Sequence, residues 1–139
     1  MRRSTHLKLL FVAVAVAMAF WACKNTIPST STTPAPTTTD TFQGTLNPNG
    51  ARTFSFSTQA AGAITATLTS VTPDSTTTVG MALGTWNGTA CQVILANDSA
   101  VQGTVLIGAS TAAGSLCVRI YDVGNLTANE DFAVAVVHP

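Results

Sequence analysis

Three cysteines, two histidines and six carboxylates are the residues on which this chain could build chemistry. Cys91 and Cys117 form an even pair, and in an exported chain such a pair reads as a disulfide. Closing that loop contributes ~3.5 kcal/mol through the entropy of the unfolded chain. A zinc site would need further cysteine or histidine at ligand spacing. The only histidine beyond the first 22 residues is His138, and no CxxC pair occurs. Nucleophilic hydrolysis needs a histidine base, and His138 sits one residue from the end, where a frayed terminus is expected. Gly108-Ala109-Ser110-Thr111-Ala112 lacks the second glycine of a nucleophile elbow. Neither a phosphate-binding loop nor an HExxH motif is present. Glu130 and Asp131 are adjacent, but neighbours on a strand point to opposite faces and do not share a site. No catalytic residue, cofactor site or metal site is assigned, and the chain is expected not to be an enzyme.

Two weaker constellations stay open. Calcium could take oxygens from Asp74, Asp98, Asp122, Asn125, Glu130 and Asp131, although no DxDxDG spacing joins them. Trp86 and Tyr121 could form a sugar-stacking platform. Their parity is opposite to Met81 and Leu83 on one strand and to Leu116 and Ile120 on another, which places them on an outer face. A parity reset at strand ends or bulges would bury both rings instead. Asn87, Asn97 and Asn125 each satisfy the N-x-Ser/Thr sequon, but asparagine-rich turns account for them equally well.

The elements that must carry these residues begin with an address. Arg2, Arg3 and Lys8 precede an uninterrupted apolar run from Leu9 to Trp21, closed by Ala22-Cys23. A basic start, an apolar core and a small residue before the cut describe an export signal. The run is shorter than the ~18 apolar residues that a spanning helix needs. Cys23 after this core is expected to be the lipidated residue of a bacterial lipoprotein, anchored in the membrane by acyl chains. Cleavage by an ordinary signal peptidase after Ala19 or Ala22 is the alternative. Lys24 to Thr41 holds eight Thr, two Ser and three Pro, too little apolar surface to fold, and is expected to be an extended tether.

The organisation expected is therefore a signal over 1–22, the anchor and linker over 23–41, and one domain over 42–139. After residue 22 three cations face six carboxylates, a net of −3. With no basic stripe, nucleic-acid binding is excluded. From Phe42 onward the pattern has period two. Phe54 and Phe56 alternate with Thr53, Ser55 and Ser57, and Ile64, Ala66 and Leu68 with Thr65, Thr67 and Thr69. Asn47-Pro48-Asn49-Gly50, Pro73-Asp74-Ser75 and Asn87-Gly88 mark turns. No segment of the domain shows a 3.6-residue period with caps. About eight short strands predict an all-β antiparallel sandwich or jelly roll.

Four segments together resemble a known family: GTLNPNGARTFSFST, AGAITATLTS, VGMALGTWNGTAC and AAGSLCVRIYDVGNLTANEDFAVAVVHP. They are similar to the bacterial pre-peptidase C-terminal (PPC) type of domain, with Gly114 to Tyr121 matching its late strand. The resemblance covers Phe42 to Pro139 and implies a β-sandwich carried on secreted or surface proteins. Some relatives bind collagen or carbohydrate; members usually accompany a catalytic domain, and none is found here. The function expected is a non-enzymatic lipoprotein of the bacterial cell envelope. It would be held at the outer membrane or cell surface and bind a glycan, a matrix polymer or a partner protein. The alternative is a structural or assembly component of the envelope without a small ligand.

Overall fold

The structure, a computed structural model, describes residues 33–139, which form one compact unit. Cys23 and the expected export signal lie outside the described residues. Eight strands follow one another: β1 (Thr38–Leu46), β2 (Ala51–Thr58), β3 (Gly62–Thr72), β4 (Val79–Trp86), β5 (Cys91–Ala100), β6 (Val105–Ser110), β7 (Gly114–Tyr121) and β8 (Glu130–His138). They pair into two four-stranded sheets, β1-β8-β3-β6 (sheet I) and β2-β7-β4-β5 (sheet II). All the pairings are antiparallel. Only β4 and β5 are joined as a hairpin; the other connections pass between sheets. Two sheets stacked by crossing connections form a β-sandwich, the architecture that the period-two pattern predicts.

Period two explains the core. Ile64, Ala66 and Leu68 of β3 point inward with Phe132, Val134 and Val136 of β8. They meet Met81 and Leu83 of β4 and Val118 and Ile120 of β7. Every member of the buried cluster lies between Leu46 and Val136, so residues 33–139 contain a whole core with its strand pairing. That is the anatomy of an independently folding domain. The side of the sandwich formed by β1 and β2 is sealed by aromatic packing. Phe42 stacks on Phe54 with centroids 5.0 Å apart, and Phe132 meets Phe54 edge-on at 6.1 Å.

Two expectations are corrected. The linker was expected to run to Thr41, but β1 begins at Thr38 and pairs with β8 from Thr38↔His138 onward. Threonine suits a strand, and the last strand supplies a partner that the tract alone lacks. For the same reason the terminus is not frayed. His138 is only 4% exposed; its Nε2 lies 3.1 Å from Asp40 Oδ2, and its ring packs 5.0 Å from that of Phe56.

Candidate functional site

The outer face of sheet II brings together Cys91, Cys117, Trp86, Tyr121 and Asp98. On β4 the outward positions are Gly80, Ala82 and Gly84, all small and all buried. Opposite them on β7 stand Tyr121, Arg119 and Cys117, paired in register with those three residues. Side chains of β7 therefore lie across β4 toward β5. The Tyr121 ring occupies the space that a Cβ on Gly80 would need. Its hydroxyl donates to the Asp98 carboxylate on β5, and the Arg119 guanidinium sits 5.4 Å from the ring centre. Burial, then the Asp98 carboxylate, raises the Tyr121 phenol above its ordinary value.

At the other end Cys117 bonds Cys91, with Cα atoms 5.7 Å apart. The two residues lie on strands either side of β4, and two strand spacings amount to about 9.5 Å. The shortfall is made up at Gly84, where the β5 backbone rides over the outer face. A Cβ there would overlap the carbonyl oxygen of Gln92. The β4–β5 register shifts at the same place, between Leu83 and Gly84. Strand β5 is thus clasped at both ends, by a covalent bond at Cys91 and a hydrogen bond at Asp98. The clasp crosses a stripe of glycine and alanine whose small size permits it.

Trp86 and Tyr121 share this outer face, and both rings are half-buried. Tyr121 pairs with Gly80, six residues from Trp86 along β4, so the two aromatics stand ~20 Å apart. They do not converge on one sugar ring. Trp86 lies beside the disulfide, opposite Cys91, while the polar end of Tyr121 is already committed to Asp98.

The carboxylates considered for calcium are mostly occupied by protein donors. Asp122 Oδ2 accepts from the Asn49 amide at 2.7 Å, and Oδ1 from the amides of Gly124, Asn125 and Leu126. These contacts, led by Asn49, hold the acid below the usual carboxylate range and tie the β1–β2 turn to the β7–β8 loop. Asp74 accepts from the hydroxyl and amide of Thr76 and is likewise lowered. Asp131 accepts from the Thr45 hydroxyl at 2.6 Å. Glu130 and Asp131 point apart, the first buried and the second exposed, and Glu130 Oε2 is buried with no hydrogen-bond partner. Among the described residues no group of three or more histidine, cysteine or acidic side chains could hold a metal. Asn87 and Asn97 accept from amides two or three residues on, closing local turns.

Two further surfaces were not singled out from sequence. The outer face of sheet I carries the rows Thr39–Val137–Thr65–Ile107 and Thr41–Ala135–Thr67–Val105 across all four strands, hydroxyls and methyls without charge. On the side bounded by β5 and β6 a cleft of about 270 Å³ enters between the sheets, lined by apolar side chains including Ile64, Leu83, Leu95 and Leu116. Alternation hints at the first surface, but only the strand order assembles it. The chain matches no protein-family model and no curated protein.

Proposed function

We propose that this chain is a non-enzymatic, envelope-tethered module. In this reading a PPC-like β-sandwich is held by a lipid on Cys23 and binds a neutral ligand, a glycan or matrix polymer. The observation that carries the reading is the outer face of sheet I, uncharged through its two complete rows. A hydroxylated polymer can exchange hydrogen bonds with Thr39, Thr41, Thr65 and Thr67 and rest its C–H faces on the neighbouring methyls. No buried charge has to be desolvated for that contact. Trp86 is the aromatic contact assigned to a polymer long enough to reach sheet II. Tyr121 contributes less, because its hydroxyl is bound to Asp98. Affinity electrophoresis through gels containing neutral polysaccharides tests this. Retardation that is lost in Thr65→Lys or Thr67→Lys at unchanged melting temperature supports the reading. Retardation lost only in Trp86→Ala moves the site to sheet II. No retardation by any polymer removes the glycan reading.

The second reading is an assembly component of the envelope that recognises only proteins. The apolar side of the sandwich at β5 and β6 favours it, since a protein partner would cover aliphatic side chains that a hydroxylated polymer would not.

A further inference from the structure

We infer that β5 is a self-association edge, pairing antiparallel with β5 of a second copy. The inference stands whichever ligand the sandwich takes. Strand β5 is the outermost strand of sheet II, so one side of its backbone has no strand partner. Gln92 to Ala96 are consecutively exposed, and four of these five residues are apolar. Ile94 is 75% exposed, the most of any large apolar side chain among the described residues. Edge strands are ordinarily protected by a lysine, a proline, an inward charge or a bulge. Cys91 to Asn97 has no lysine, proline or charge, its bulge leaves Ile94 exposed between Val93 and Leu95, and the segment combines high β-propensity with zero charge, the signature of a segment that pairs.

Charge and area identify the occupant. Residues 33–139 carry two arginines against six carboxylates, a net of −4, so two copies repel over most approaches. The Cys91–Asn97 edge is uncharged, and here two copies can meet without opposing like charges. An antiparallel strand is complementary to itself about a twofold axis. The seven residues of the Cys91–Asn97 edge extend ~23 Å, and a strip one sheet spacing (~10 Å) deep covers ~230 Å² per copy. A permanent interface needs roughly 800 Å² per partner, so the dimer is reversible. The clasp at Cys91 and Asp98 presents the edge already ordered, which reduces the entropy lost on pairing.

Sedimentation equilibrium of oxidised residues 33–139 tests the inference, with Ile94→Lys and Ile107→Lys as variants. Ile107 is also exposed, at 66%, but lies on the outer face of sheet I. The expected result is a wild-type mass rising with concentration from monomer to dimer. Ile94→Lys should weaken the dimer at least about tenfold, and Ile107→Lys should leave it unchanged. Melting curves confirm that both variants fold. A wild type that stays monomeric at about 1 mM overturns the inference, as does a dimer that survives Ile94→Lys or is lost only in Ile107→Lys. A monomer whose melting temperature rises with a single-chain detergent assigns the cleft to an apolar small molecule, and overturns it too.

Discussion

Replacing Cys91 and Cys117 together by alanine should lower stability by ~3.5 kcal/mol, from the loop-closure entropy of cysteines 26 positions apart. In a domain of this size each kcal/mol shifts the melting temperature by several degrees, so a fall of about 15–25 °C is expected. The loss should not be spread evenly. The disulfide holds the start of β5 over Gly84, whereas the end of the strand keeps its Tyr121–Asp98 hydrogen bond. Amide exchange should therefore accelerate first at Val93 and Leu95, while β3 and β8 follow the global change. Circular dichroism melts of the oxidised wild type and the double alanine variant give the first quantity, and hydrogen exchange by NMR the second. A melting temperature within 5 °C of wild type (about 1 kcal/mol), or uniform acceleration across both sheets, would refute the clasp.

Four further outcomes follow from the same geometry. Gly84→Ala should cost more than Gly80→Ala, because the first meets backbone and the second a ring that can swing away; chemical denaturation of both variants compares them. Gly80→Ala should also bring the Tyr121 phenol back toward its ordinary value, read by ultraviolet titration of the single tyrosine. In the wild type the raised Tyr121 value means that its stabilisation is complete below about pH 10 and is lost as pH rises through the folded value. Asp122 has the opposite sign. Its lowered value gives stability present above about pH 4 and lost as pH falls through the folded value. Asp122→Asn should flatten the acid limb of melting temperature against pH, and an unchanged limb would remove that assignment. Glu130→Met should raise the melting temperature by a few degrees, because it removes a buried oxygen with no partner, a group that costs ~1–3 kcal/mol.

The parts of the fold legible in the sequence are those set by local alternation. Phe54 and Phe56, Ile64 to Leu68 and Leu116 to Ile120 each show their inward face in the period of the chain, and the turn at Asn47 to Gly50 shows its asparagines. What depends on a distant partner was not legible. Thr38 to Thr41 resembles tether by composition, and only pairing with β8 makes it strand. His138 gains its burial from the same pairing. The run Cys91 to Leu95 hides its bulge because an unbroken apolar stretch has no phase to slip. Gly80 and Gly84 carry no sign of what crosses them, because their role is set by the ring and the backbone of other strands. The parity of Tyr121 was visible, whereas its engagement with Asp98, 23 positions away, required the sheet order.

The central proposal is that this sandwich binds a neutral glycan or matrix polymer, and a thermal-shift screen of oxidised residues 33–139 tests it most directly. The panel holds neutral glycans, collagen-like peptides and divalent cations. The account predicts a saturable rise in melting temperature with a glycan or matrix polymer, since a ligand that binds only the native state stabilises it. A rise with calcium alone, or none across the panel, would contradict it.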